Sequence, residues 1–264
     1  MTAPIPRDIP DLPAIPLPGT STLLSSTVPA TAVMTPVRRP LAAVFRLLTA
    51  LTAATAVTIV LLLGDPALVL SDFTVQSTLL LTPVLAVSAR RAWKARRPLP
   101  GALTGAALLY VVIGALVHHL LLDNAASPFA APAPAAAPTA RSGTAAHHIL
   151  HTVVPAAAVL DWLLLSVPGR LHLRQASAWL LYPLAYLAFS LARGELPLPG
   201  TPPRYLYPFL DVARHGYKDV LGNALLLGLS FYALAVLLVA LDHVRPNPIR
   251  HRAKTGFRLQ PPVG

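Results

Sequence analysis

The sequence contains no cysteine, which excludes disulfides, a thiolate nucleophile and any cysteine-based zinc site. Charge is scarce as well, with 12% charged residues against 55% hydrophobic ones; a soluble domain carries about twice that share of charge. Acidic residues are the scarcer sign, 10 against 21 basic, for a net charge of +11. In a soluble chain that excess would point to nucleic acid. Here the bases stand in short clusters beside apolar segments, the pattern of cytoplasmic loops facing anionic lipid headgroups, so no nucleic-acid partner is expected. No Walker, GxSxG or HExxH motif occurs, which leaves ATPase, serine-hydrolase and zincin readings without support. No internal repeat supports an inverted-repeat transporter.

What the chain does have is long apolar runs. Six segments, roughly 41–63, 73–89, 102–122, 148–167, 176–193 and 220–241, are predicted to span ~30 Å of hydrocarbon at ~1.5 Å per residue. Arg38 and Arg39, the loop "RRAWKARR" (90–97), the loop "PGRLHLR" (168–174) and the tail "RPNPIRHRAK" (245–254) then fall on one side. Asp65, Asp72, Asp123, Glu195, Asp211 and Asp219 fall on the other. The positive-inside rule makes the basic side cytoplasmic, with both termini there. The expectation is an all-α, polytopic six-helix bundle over 37–245 in the plasma membrane, in contact with membrane lipids. It is preceded by a Pro-rich tail (1–36) without periodicity or a signal peptide and followed by a basic tail (246–264). A start at Met34 would remove the first tail. The Ala/Pro stretch 123–147 reads as an extended spacer on the outer side.

Topology also gives the depth of each polar residue. His147, His148 and His151 in "HHILHTVVP" fall near the outer start of the fourth span. Asp72, Thr74, Gln76, Ser77 and Thr78 open the second span, His118 and His119 close the third, Tyr205, Tyr207 and Asp211 lie in the last outer loop, and Asn223 sits about one turn into the sixth span. Polar groups inside a membrane are costly unless satisfied, so a clustered set marks a candidate site. His148 and His151, three apart, are expected to share a face. Plainer roles stand beside this reading. Asp72 fits a helix cap; His118, His119 and His147 fit interfacial decoration. Tyr205 and Tyr207 fit an aromatic belt, Pro155 a kink and Pro208 a turn. Asp161, alone in the inner half, is expected to pair with Arg46 or Arg170.

The motifs "DFTVQSTLLL", "HHILHTVVPAAAVLDWLL" and "YLYPFLDV" resemble those of the bacterial six-transmembrane, proline-rich membrane proteins. That family is in turn similar to the androgen-induced integral-membrane threonine hydrolases, which act on fatty acid esters of hydroxy fatty acids. The resemblance runs over roughly residues 38–245. It implies a nucleophilic threonine, matched by Thr74 in "DFT", and a histidine partner from an H-x-x-H pair followed by Thr and Pro. That pair is His148 and His151, followed by Thr152 and Pro155. The His-to-Pro spacing is one residue shorter than in the hydrolases, so His148 stays a candidate beside His151. Neutral imidazole suits the task of taking a threonine proton near neutral pH. Gln76, Asn223 or Tyr207 would supply an oxyanion donor and Asp211 would orient the base. A long-chain lipid ester would enter from the outer leaflet.

Two other readings use the same residues. Histidines on two helices at matching depth would suit haem or a transition metal, and a non-catalytic membrane protein would use the polar layer to bind lipid or a partner. The hydrolase reading takes precedence here, with Thr74 and His151 as catalytic residues, His148, Gln76, Tyr207, Asp211 and Asn223 in support, and no cofactor or metal.

Overall fold

The computed structural model describes residues 38–123, 140–196 and 205–246. The two tails and most of the 123–147 spacer lie outside the described residues. All regular structure among the described residues is helical. Helix α1 is Pro40–Leu63, α2 the short Pro66–Ser71 and α3 Phe73–Trp93. Helix α4 runs Gly101–Leu116 and continues through a widened π turn, Val117–Leu122. Helix α5 is built of Ala140–His148, a π turn Ile149–Val153, Val154–Leu160 and a second π turn Asp161–Leu165. Then come α6, Leu173–Trp179, α7, Leu181–Glu195, a 3-10 turn Pro208–Leu210, and α8, Val212–Val244, kinked at Gly216 (φ 75°, ψ 160°).

The acids at one end of the bundle do a local job. Asp65, Asp72 and Asp211 each accept backbone N–H groups from the first turn of the helix that follows. A carboxylate there satisfies donors that have no intrahelical partner and complements the positive end of the helix dipole.

Four helices are long and apolar enough to cross a membrane: Pro40–Leu63, Gly101–Leu122, Gly143–Leu165 and Val212–Val244. That is the make-up of an integral membrane protein. The remaining two apolar segments are helical but differ from the expected continuous spans. Helix α3 has the length, 21 residues, but Thr74, Gln76, Ser77, Thr78 and Thr82 dilute its apolar character. The segment 176–193 is broken at Leu180 into pieces of 7 and 15 residues, each short of the ~20 residues a span needs.

The break has a chemical cause. Pro183 has no N–H to offer the Trp179 carbonyl four residues back. That carbonyl accepts instead from the Tyr110 hydroxyl on α4, 3.0 Å away, while Trp179 Nε1 donates to the Ala102 carbonyl at 2.8 Å. Tyr110→Phe would orphan a buried carbonyl. We expect a loss of about 1 kcal/mol, read as a lower thermal midpoint in detergent.

Helix α1 packs along α3 through small residues; Ala50, Ala53 and Ala56 are buried, which lets the two backbones approach closely. Leu81 and Leu85 of α3, Leu108 and Val111 of α4, and Val154 and Ala158 of α5 complete that layer. Leu47, Leu51, Leu225, Leu226 and Leu229 point outward, an apolar exterior suited to lipid.

The two ends are chemically distinct. At one, Arg39 N–H donates to the Ala92 carbonyl and Arg46 Nε meets Asp161 Oδ1 at 2.7 Å; Asp161 thus pairs with Arg46 rather than Arg170. Nearby, Asp242 is 1% exposed and accepts from the Arg170 and Leu171 amides, Trp162 Nε1 and Arg245. Arg245 also donates to the Trp162 carbonyl. The capping acids and the histidines gather at the opposite end.

Candidate histidine and hydroxyl site

The site begins at the N-terminus of α3. Asp72 Oδ1 accepts the Thr74 and Val75 amides at 2.8 and 3.1 Å, and its Oδ2 accepts the Tyr207 hydroxyl at 3.2 Å. The Phe73 amide donates to the Tyr207 oxygen at 3.3 Å. Tyr207 therefore latches the last loop onto the α3 cap. It and Tyr205 are buried, which corrects the aromatic-belt reading: Tyr205 donates to Glu195 at 2.9 Å, and neither ring serves as an outward anchor. Burial raises the Asp72 carboxyl above its usual range, against the lowering effect of the Val75, Tyr207 and Thr74 donors. Burial, with Asp72 beside it, lifts the Tyr207 phenol well above its usual value, so Tyr207 stays a donor across the ordinary pH range.

Thr74 is 2% exposed. Its hydroxyl faces α4 at Gly114, where a β-carbon would lie 3.0 Å from Thr74 Oγ1. Ser77 and Thr78, further along α3, are fully buried. Ser77 Oγ donates to the Thr74 carbonyl at 2.9 Å, and Thr78 Oγ1 has no partner among the described residues.

One turn beyond Gly114 comes His118, and here α4 and α5 meet ring against ring. The His118 centroid is 4.1 Å from that of His151 and 4.7 Å from that of His147; His147 and His151 are 4.1 Å apart. His118 and His151 each sit in a π turn, a local widening often found at functional sites. Pro155 secures the contact. It has no N–H for the His151 carbonyl four residues back, and His119 Nε2 stands 3.2 Å from that carbonyl and 3.0 Å from Thr152 Oγ1.

Sequence spacing had paired His151 with His148. The structure puts His147 in that place. The helix starts at Ala140, ahead of the expected 148, so His147 lies on the third turn and presents its ring at i,i+4 to His151. His148 is exposed and its ring is 6.5 Å from that of His147.

Of the other candidate residues, Gln76 is held by the Leu70 carbonyl at 2.9 Å and the Tyr182 hydroxyl at 3.1 Å. Asp211 caps α8 and makes no contact with His151. Asn223 is half-buried on α8, without a hydrogen bond among the described residues. No hydrogen bond joins Thr74 to His151. His151 Nδ1 lies 3.0 Å from the His147 carbonyl; a carbonyl only accepts, so Nδ1 carries the proton and Nε2 keeps the lone pair.

Beside this polar wall is an apolar cavity of about 400 Å³. Phe73, Gly114, Val117 and Tyr207 line it next to the polar site, and Leu187 and Leu227 are also among its lining residues. No protein-family model, curated protein or solved structure matches the chain.

Proposed function

We propose that the chain is a six-span plasma-membrane protein, both termini cytoplasmic, that hydrolyses a lipid ester at the end of the bundle away from its basic loops. In this reading α3 and the broken α6–α7 pair are the second and fifth spans, completed by interfacial residues. Thr74 is the nucleophile and His151 the base. The observation that carries the reading is a buried threonine hydroxyl standing on Gly114, one turn from a histidine cluster. The same glycine lines an apolar cavity of the size of ordinary ligand sites.

The reaction balances as an acyl transfer. His151 Nε2 takes the Thr74 Oγ1 proton as Oγ1 bonds to the ester carbonyl carbon. The tetrahedral intermediate collapses, the C–O bond to the alcohol breaks, and the alcohol leaves with the proton from Nε2. Water, deprotonated by the same nitrogen, then attacks the acyl-threonine carbonyl carbon; the bond to Oγ1 breaks, the acid is released and Nε2 returns the proton to Thr74 Oγ1. Substrate entry must bring Oγ1 and Nε2 within reach, because they are not bonded in the resting protein. The acyl chain would lie in the Phe73–Gly114–Val117 cavity.

Labelling of the detergent-solubilised protein with a fluorophosphonate probe tests this. Wild type is expected to label and Thr74→Ala and His151→Ala to lose the label. Equal labelling of Thr74→Ala would end the hydrolase reading. The separation of Thr74 from His151 favours one other reading, a non-catalytic protein that binds lipid or a partner through this layer. It predicts no labelling in wild type and unchanged co-purifying lipid in Thr74→Ala.

A further inference from the structure

We infer that His118, His147 and His151 form a binding site for a divalent transition-metal ion of the zinc, cobalt or nickel type. Each ring offers one nitrogen, and the three lie within 4.8 Å of one another. A tetrahedral site with ~2.0–2.1 Å metal–nitrogen bonds needs them about 3.3 Å apart. Loading an ion would draw the three nitrogens together to that spacing. An all-imidazole set selects borderline metals over magnesium or calcium, which prefer oxygen.

The surroundings suit an ion. No hydrogen bond links one ring of the three to another, so their lone pairs are not spent on each other. His151 donates Nδ1–H to the His147 carbonyl at 3.0 Å, the arrangement by which a ligating histidine is oriented and its other nitrogen left basic. His151 is 8% exposed and makes a floor. His147 is exposed and His118 intermediate, so an ion can enter from outside the bundle. Asp72 and Asp123 both act electrostatically on His147 and offset part of the added positive charge. Three protein ligands leave one position for water.

A second donor set shares His118 and adds His119 and Asp123. Its His119 Nε2 is already held at the His151 carbonyl and Thr152, which favours the first set.

This inference stands on the imidazoles alone and does not need Thr74 to be a nucleophile. The two are linked in one respect: His151 Nε2 cannot hold an ion and accept a threonine proton at once. In a hydrolase, loading the metal therefore suppresses fluorophosphonate labelling, and a chelator restores it.

The test is cobalt titration of the full-length, chelator-stripped protein in detergent, carrying a tag free of histidine. Wild type is expected to develop visible ligand-field bands saturating at one cobalt per chain and bleached by zinc. His118→Gln and His147→Gln are expected to lose the bands, while His119→Gln and His148→Gln keep them. His147 is exposed, so its replacement leaves the packing intact; co-elution with wild type on gel filtration confirms it. No bands in wild type overturns the inference. So do bands that survive in both His118→Gln and His147→Gln, or that vanish in His119→Gln while His147→Gln retains them. Cobalt binding with no labelling of the metal-free protein sinks the hydrolase reading alone, and labelling of the metal-free protein without cobalt binding sinks the metal site alone.

Discussion

Asp242→Ala is expected to be the most damaging single substitution in the chain, costing about 3–5 kcal/mol. The carboxylate is 1% exposed and gathers partners from three parts of the sequence. Oδ2 accepts the Arg170 and Leu171 amides at 2.7 and 2.9 Å. Oδ1 accepts Trp162 Nε1 at 3.2 Å and Arg245 at 2.7 and 3.0 Å. Alanine would leave two amides and an indole N–H without acceptors and a guanidinium with 7% side-chain exposure uncompensated. Removing one partner of a buried pair costs far more than the pair itself is worth. Asp242→Asn keeps one acceptor oxygen and is expected to lose roughly half as much. Thermal denaturation in detergent, followed by far-UV circular dichroism, reads both values. A midpoint for Asp242→Ala within error of wild type would show that Asp242 does not anchor this end.

Gly101→Ala is expected to come second, at about 1–3 kcal/mol. A β-carbon at 101 would sit 2.3 Å from the Arg170 carbonyl oxygen and 3.0 Å from its carbon. These are backbone atoms, so no rotamer change relieves the clash and the turn carrying Arg170 must move. That turn is also the one Asp242 holds through the Arg170 and Leu171 amides. The two substitutions therefore damage one feature, and the double variant should lose less than the sum of the singles. An additive double variant would place their effects in separate parts of the bundle.

What could be read from the sequence divides along a physical line. Four of the six apolar segments and the chemical difference between the two ends were legible, because hydropathy and charge clustering are local. Asp72 as a cap was legible for the same reason, since an N-cap acts on the next two or three residues. Asp211 looked equally suited to orient a histidine, and only its bonds to Ala213 and Arg214 show the same capping role. The histidines of α4 and α5 were placed at one depth, but depth leaves open which way each helix is turned. His147 rather than His148 faces His151 because the helix starts at Ala140, inside an Ala/Pro-rich stretch whose composition reads as spacer. Tyr207 read as a belt residue because an interfacial tyrosine and a buried latch on Asp72 look alike in sequence. Asp242 was missed altogether: its partners Arg170 and Leu171 are more than seventy residues away, and nothing in "VALDHVRP" announces them.

The carbonyls that Pro183 and Pro155 set free, at Trp179 and at His151, both find their donors on α4, in Tyr110 and His119. In hydrocarbon an unpaired carbonyl is costly. The helices that carry Pro155 and Pro183 therefore each hold an unmet demand until α4 lies against them in the right rotation. This bears on the order of assembly. α4 precedes both in the chain, so it is already present when each emerges, and each docks by offering its open carbonyl to a donor that waits there. A chain in which α4 were exchanged for another apolar helix of equal length would keep the apolar contacts of its neighbours, but the Trp179 and His151 carbonyls would lose these two donors.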